Sequence, residues 1–355
     1  MKKKLLTLAA ALLVALLGIL FPEPESAVNI PADAPTPSGN GLTVHFIDVG
    51  QADCALLECD GEFMIVDGGN VDDGQLVVSY LNQMGVETLS AVVCSHAHED
   101  HVGGLPAVLS KYQAEAVYSP VTEYSSKVFS DFVKKTEAQN LTLTVPQPGD
   151  QFTLGSAAVT VLGPVQEYED PNDTSIILKV SYGETDFLFT GDMETAAEAD
   201  MLDHWGESFD WQVDVLKVGH HGSETSTGYR FLYETEPVYG VISVGTGNSY
   251  SHPHEGPMSR MEDAGLVLLR TDQLGHIIAR TDGREVSFTW ENQSAQPENA
   301  EPGAGNPIVF YGNKKSKKLH APVCQNLPSG DNLVEFADYD AAISQGYTPC
   351  SSCLE

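Results

Sequence analysis

Positive charge is what this sequence has least of. Against 50 Asp and Glu it carries 18 Lys and Arg, a formal net charge of −32. So acidic a chain stays soluble and repels polyanions over most of its surface, which argues against a broad electrostatic grip on nucleic acid or on an anionic membrane. It leaves room for a local site where bound divalent cations and a small basic patch offset the field. Internal repeats are missing too: no period of about 20 to 50 residues recurs, so solenoids and propellers are excluded. A long apolar run occurs once, from Leu5 to Phe21, behind Lys2, Lys3 and Lys4. It is longer than a usual signal-peptide core and barely long enough to span a bilayer. No Cys lies near it, which excludes a lipoprotein anchor, and the small-residue site Ser26-Ala27 follows Glu25 and suits signal peptidase poorly. Residues 1–27 are therefore expected to be a signal peptide or an N-terminal anchor, cleaved or not. The protein is expected to be exported, either extracellular or held on the outer face of the cytoplasmic membrane.

The remainder has a globular composition, 42% hydrophobic with 32 Gly and 20 Pro, and is long enough for one large domain and a small one. Residues 28–41 read as a Pro-rich spacer. Ordered sequence begins with the strand-like LTVHFIDVG; VVSYLNQMG reads as a helix closed by Gly85, and KVFSDFVKKTEAQN as another. Strands interspersed with helices indicate a layered α/β domain over residues 42–290. Residues 291–305, ENQSAQPENAEPGAG, read as a linker, and residues 306–355 as a compact tail module. Of the 6 Cys, Cys54, Cys59 and Cys94 lie in apolar strand-like runs and read as buried thiols. The other three fall in the tail.

The chemistry concentrates in His96-Ala97-His98-Glu99-Asp100-His101, directly after the apolar strand LSAVVCS. Imidazole nitrogen and carboxylate oxygen are the ligands of zinc and of similar divalent ions. A lone His is more often structural, but these residues crowd onto one loop at a strand end and can point at one cavity. Gly103 and Gly104 would let the backbone turn tightly beside the metals.

This H-x-H-x-D-H pattern matches in full the motif of the metallo-β-lactamase superfamily. FIDVGQADCALLE, IVDGG, SHAHEDHVGGL, NDTSIILKV, FLFTGD and LKVGHHGS, in that order, resemble the hydrolase domain of the competence protein ComEC and its free-standing relatives. The resemblance implies an αββα four-layer sandwich holding two divalent ions, zinc or manganese. His96 and His98 would bind the first ion, Asp100 and His101 the second, and Asp192 would bridge both. His220 would complete the second site; His221 is its rival there and otherwise supports a ligand from behind or faces the substrate. Asp67 would orient the loop by hydrogen bonding, with Asp48 and Asn172 supporting the ligands. Many members place a third His for the first metal where PNDTSIILKV offers Asn172, Asp173 and Ser175, a pattern the ComEC-like subgroup shares. A first site with two His and a shared Asp should bind metal more weakly and accept a harder ion such as manganese.

Two such ions lower the pKa of a bridging water and stabilise both attacking and leaving oxygens, so no Ser or Cys nucleophile is required. The run Asn248-Ser249-Tyr250-Ser251-His252-Pro253-His254 resembles the subgroup's N-x-Y-x-H-P element. It makes His252 the candidate for contacting a scissile phosphate or protonating the leaving group. Asp100, His221 and His252 are thus the expected catalytic residues, while His45, His204 and His276 read as structural.

In the tail, His320-x3-Cys324 and Cys350-x2-Cys353 suit a tetrahedral structural zinc, which a small unit with few large apolar side chains needs. The segment resembles Ada-type metal-binding modules; a disulfide involving Cys350, Cys353 or Cys324 is the competing reading. Lys314, Lys315, Lys317 and Lys318 form a dense basic run that could engage phosphates or be a solvated turn. The expected activity is that of an exported dinuclear metal-dependent hydrolase, a phosphodiesterase or nuclease acting on extracellular DNA or RNA. Two rivals stay open: an esterase or phosphodiesterase acting on cell-surface components of the phosphorylcholine type, and a non-catalytic nucleic-acid- or partner-binding protein with a vestigial metal site.

Overall fold

Near-continuous apolar runs dictate strands buried on both faces, and such strands must be covered on both sides. The computed structural model describes residues 41–299, 308–322 and 324–354. The chain first lays down β1 (Leu42–Phe46), β2 (Ala55–Cys59), β3 (Glu62–Val66), β4 (Thr88–Val93) and β5 (Gln113–Tyr118). Helices α1 (Gly74–Gln83), α2 (Glu99–Val102) and α3 (Leu105–Lys111) interrupt them, and α4 (Lys127–Ala138) follows. Next come β6 (Gln151–Leu154), β7 (Ala157–Gly163), β8 (Ile177–Tyr182), β9 (Thr185–Phe189), β10 (Val215–Lys217), β11 (Tyr239–Ile242) and β12 (Val267–Arg270). Among these lie α5 (Thr195–Trp205), α6 (Tyr229–Thr235) and α7 (Glu255–Asp263), and α8 (Thr271–Leu274) follows them. The strands β13 (Ile277–Thr281) and β14 (Val286–Trp290) then return to the first sheet, whose order is β14-β13-β1-β2-β3-β4-β5. The second sheet runs β12-β11-β10-β9-β8-β7-β6.

Each strand shows why two sheets stack. In β4, Leu89 and Val92 join Val77, Leu105 and Phe132 of α1, α3 and α4, while Ala91 and Val93 face Val159, Leu178 and Phe187 of the other sheet. On the far side, Leu188, Leu216 and Leu268 pack against Met201, Phe231 and Met261 of α5, α6 and α7. The layers are helix, sheet, sheet, helix, the expected αββα sandwich. Burying one such side chain is worth roughly 1.5–3 kcal/mol, so the two flanking cores and the central one each contribute heavily. Strands β3, β4 and β5 are mutually parallel, as are β9 to β12. Open α/β sheets bind their ligands at the carboxyl ends of such strands.

The tail carries β15 (Phe310–Asn313), β16 (Lys318–His320), β17 (Leu333–Phe336), α9 (Tyr339–Ser344) and β18 (Thr348–Pro349), in the sheet order β17-β15-β16-β18. It is docked and not suspended. Phe310, Leu319 and Tyr339 share one buried cluster with Phe231 and Leu232 of α6, and the Arg230 guanidinium lies 4.9 Å from the centre of the Tyr339 ring. Of the segment 291–305, expected to be a linker, residues 291–299 are described. As far as Glu298 it belongs to the large domain: Glu298 pairs with Leu268 on the edge of β12, and the Trp290 indole donates to the Ala295 carbonyl. An open sheet edge offers unpaired backbone groups that such a segment satisfies. The apolar run Leu5–Phe21 lies outside the described residues, as does the spacer up to Asn40; among the described residues no helix is long and apolar enough to cross a membrane.

Candidate metal centre

Three strands of the first sheet and three of the second deliver their following loops to one place. The loop after β4 brings His96, His98, Asp100 and His101; the loop after β3 brings Asp67; the loop between β1 and β2 brings Gln51 and Asp53. From the second sheet come Asp192 after β9, His220 and His221 after β10, and His252 after β11. The two first-sheet loops interlock backbone to backbone. A Cβ on Gly104 would sit 2.0 Å from the Gly68 carbonyl oxygen, and one on Gly103 would sit 2.4 Å from the Val71 nitrogen. These glycines serve close approach of the VDGG loop, not an unusual φ.

Within this meeting point Asp100, His101, Asp192 and His221 each aim one ligand atom at a common centre, all within 4.8 Å of one another. His101 Nε2 lies 3.2 Å from Asp192 Oδ1, and His221 Nε2 lies 3.4 Å from Asp100 Oδ2. His101 Nε2, His221 Nε2 and Asp192 Oδ1 are buried without any hydrogen-bond partner. Orphaned buried acceptors of this kind are costly unless something not of the chain satisfies them, and a divalent cation fits the donor set. His96 Nε2 and His98 Nδ1 face each other at 3.0 Å, and His96 Nε2 is 3.8 Å from Asp192 Oδ2. Two acceptor nitrogens so placed also fit a shared cation.

The two adjacent His are placed differently. His221, not His220, joins Asp100, His101 and Asp192. Both residues are left-handed, at φ 48° and 53°, and this strained turn decides which ring points inward. His220 instead holds its Nε2 3.7 Å from Asp192 Oδ2, with its Nδ1 3.3 Å from Glu194. Asn172 stands beside it: its amide nitrogen reaches Glu194, and its Oδ1 is buried without a partner.

Carboxylates orient the rings from behind. Asp67 accepts from the Ser95 amide and hydroxyl at 2.7 Å each and lies 2.9 Å from His101 Nδ1. Behind His221 the Ser243 carbonyl is the hydrogen-bond partner of Nδ1 at 2.9 Å, with Asp53 Oδ1 beside it at 3.3 Å, and Asp53 is itself ion-paired to the buried Lys217 at 2.7 Å. Burial pushes the Asp53 carboxyl upward, but the Lys217 ammonium and the His221 ring outweigh it and hold the group below the ordinary range. Asp48 does not support a ligand. Its backbone amide donates to His276 Nδ1 and its carboxylate accepts from Gly50, so it shapes the turn that carries Gln51 and Asp53.

The metal-facing groups open on a cavity of about 380 Å³ lined by His98, Asp100, Asn172, Asp192, Tyr250 and His252 among others. Asn248 pins the His252 turn by donating to its carbonyl and accepting from its amide. Gln51 Nε2 lies 3.4 Å from His252 Nδ1; with the amide donating, the ring keeps its Nε2 proton. Burial and the neighbouring His221 and His220 lower His252 to about 4, so the ring is neutral.

In the tail, His320, Cys324, Cys350 and Cys353 converge within the same 4.8 Å limit. His320 Nδ1 is 3.3 Å from Cys324 Sγ, and the Asn326 and Ala321 amides point at the sulfurs of Cys324 and Cys353. The three thiols are free, and with His320 they make a four-donor set that could hold a metal ion. Lys314 and Lys318 donate to the carbonyls of Asp331 and Pro349, and Lys317 lies over the Tyr347 ring at 4.2 Å, so these three side chains are engaged within the module. Lys315 sits at the exposed turn.

Asp53, Lys217, Gln51, Glu194 and Ser95 escaped the reading of the sequence as site residues. Lys217 carried a signal, because a lysine inside the apolar strand VDVLKVG must meet a counter-charge.

Fold and site together define a metal-dependent α/β hydrolase. The chain belongs to the metallo-β-lactamase superfamily, whose family model matches residues 47–246, more than half of its length, and falls in the ComEC-like subgroup. It is 27% identical over 267 residues to ComE operon protein 3 of Bacillus subtilis, covering 69% of this chain and 34% of that protein. It is 31% identical over 237 residues to competence protein ComA of Neisseria gonorrhoeae, covering 66% of this chain and 32% of that protein. The chain thus spans about a third of the length of these curated relatives. Among solved structures it is similar to the metallo-β-lactamase fold protein YhfI of Bacillus subtilis, with a TM-score of 0.47 and 14% identity over 68% of this chain and all of that one.

Proposed function

We propose that the chain is a dinuclear metal-dependent phosphodiesterase acting on nucleic acid outside the cytoplasm. One observation supports this most: buried, unpartnered atoms of His101, His221 and Asp192 converge with Asp100 at the floor of an open polar cavity. The second site would be held by Asp100, His101, Asp192 and His221. The first would be held by His96, His98 and Asp192 Oδ2, with His220 and the Asn172 carbonyl in the place of a third His. Bound there, two divalent ions supply an acidified water and charge stabilisation for the attacking and leaving oxygens. The chain's own residues do the rest. Asp67, Asp53 and Glu194 fix the rotation of His101, His221 and His220, so each ring offers Nε2 to the centre. His252 presents a neutral N–H at the cavity mouth, placed to donate to a non-bridging phosphate oxygen. Zinc and manganese both suit this mixed nitrogen and oxygen set. The name of one relative, competence protein ComA, supports DNA as the substrate class.

The reading is tested with full chain supplied with manganese or zinc, against single-stranded DNA, bis(p-nitrophenyl) phosphate and choline phosphodiesters. DNA and the nitrophenyl ester are expected to be cleaved, and Asp192→Ala and His98→Ala to stop both reactions. Cleavage that survives in both variants would remove the site. Turnover of choline esters alone would move the substrate to cell-surface polymers. DNA binding without cleavage in any metal would leave a binding protein.

A further inference from the structure

Between residues 41 and 290 the chain has 6 lysines, and their distribution is lopsided. Lys179 and Lys217 are buried and paired with Asp186 and Asp53 at 3.2 and 2.7 Å. The others, Lys111 on α3 and Lys127, Lys134 and Lys135 on α4, are all exposed and share one face of the molecule. Between α1, α3 and α4 runs a groove of about 830 Å³ whose walls include Val78, Pro106 and Val128, and Lys111, Lys127 and Lys135 line it. Asp131, which also lines it, is already bonded by Lys134 at 3.0 Å. Among the described residues, no carboxylate lies within ion-pair distance of Lys111, Lys127 or Lys135. On a chain of net charge −32, this groove therefore sets three lysines against two carboxylates, Glu99 and Asp131.

The groove leads to the metal centre. Glu99, between His98 and Asp100, lines both the groove and the catalytic cavity. Also on the cavity wall stands Tyr250, 64% exposed and stacked on His252 with ring centroids 5.7 Å apart. Folding gives no reason to leave a tyrosine so bare at a cavity mouth. Unpaired bases stack on such rings, and phosphates follow lysines.

We propose that the α3–α4 groove is the track for the phosphate backbone of single-stranded nucleic acid, with Tyr250 the platform for a base beside the scissile bond. This rests on the phosphodiesterase reading above. A single strand is required because a base within a duplex offers no free face to Tyr250. The lysines act as point charges and the ring as a sequence-neutral surface, so binding should be indifferent to base order.

The test is binding of a fluorescein-labelled, phosphorothioate-linked oligothymidylate to the full chain with manganese, read by anisotropy against salt. Lys111→Gln/Lys127→Gln/Lys135→Gln should weaken binding by at least about tenfold and reduce the salt slope by about 2, since each single-strand phosphate contact adds about 0.7. Tyr250→Ala should weaken it by about 5-fold or more, and Tyr250→Phe should retain it. Lys315→Gln should change nothing. Hydrolysis of bis(p-nitrophenyl) phosphate, too small to reach the groove, should be the same in the triple lysine variant as in the parent. Unweakened binding by the triple variant overturns the track, as does a parent protein that hydrolyses the small ester but binds no oligonucleotide. Equal competition by poly(glycerol phosphate) with no effect of Tyr250→Ala overturns the nucleic-acid assignment. An oligonucleotide held through the lysines while no phosphodiester is ever cleaved sinks the phosphodiesterase reading and leaves the track.

Discussion

Among the described residues, metal-ligand side chains gather at the strand ends of the large domain and in the tail, and the two gatherings are built in opposite ways. At the strand ends of the large domain, nitrogen and oxygen donors come from separate loops, with carboxylates beside the outer nitrogens of His101 and His221, and face an open cavity. In the tail, one His and three Cys come from two short segments, and backbone amides brace the sulfurs. Sulfur donors with a complete tetrahedral set leave no position for a substrate, whereas mixed donors beside a cavity do. The first arrangement suits turnover and the second suits stapling.

The widest separation between the two should come from removing one donor at each. Asp192→Asn is expected to cost more than about 100-fold in hydrolysis, beyond the 10–100-fold typical of residues that only orient ligands, with zinc retained in the tail. Cys350→Ser should do the reverse: tail metal is lost and limited proteolysis cuts within residues 308–354, because binding energy at a structural zinc is folding energy. Metal analysis of the two variants checks both. Loss of activity together with an intact tail in Cys350→Ser would erase the distinction.

A finer test concerns Asp53. If it orients His221 and is held in place by Lys217, Asp53→Asn should lower activity or metal affinity by about 10- to 100-fold. Lys217→Met should do likewise by leaving the buried carboxylate without its partner. A drop in thermal stability with unchanged metal affinity would instead mark the pair as part of the core.

How legible this was in the sequence follows the same division. His96 to His101 and the tail Cys pairs are close in the chain, so spacing alone exposes them. The strand pattern likewise revealed the layered fold, since short runs of apolar residues are a local signal. What was not legible depends on chirality or on distant convergence. Whether His220 or His221 faces the centre turns on two left-handed residues, which no spacing rule encodes. Asp53 differs from Asp48 only in which side of a tight turn it occupies, so Asp48 looked equally suited. Nor does composition reveal that a polar segment such as 291–298 can pair with a sheet edge through its backbone, as Glu298 does.

The smallest expected effect contrasts the helix layer under the tail with the metal centre. Glu198 on α5 is buried and accepts the amides of Thr227 and Gly228, the loop that follows His220 and His221. Burial raises it to about 7, against the downward pull of those two hydrogen bonds and of Arg260. Its unfolded value is near the ordinary 4.5. Between these values the folded chain binds a proton that the unfolded chain does not, so this group's contribution to stability falls as pH rises from about 4.5 to about 7. A tenfold difference in proton affinity between the two states corresponds to about 1.4 kcal/mol, giving a few kcal/mol at most across the window. Glu198→Gln removes the titration, so thermal melts from pH 5 to pH 8 should show a shallower fall than the parent, whatever constant offset the amide introduces. Parallel pH profiles would mean that Glu198 stays ionised throughout, held by the two amides. The loop beside the metal centre would then be anchored by a charge and not by a neutral acid.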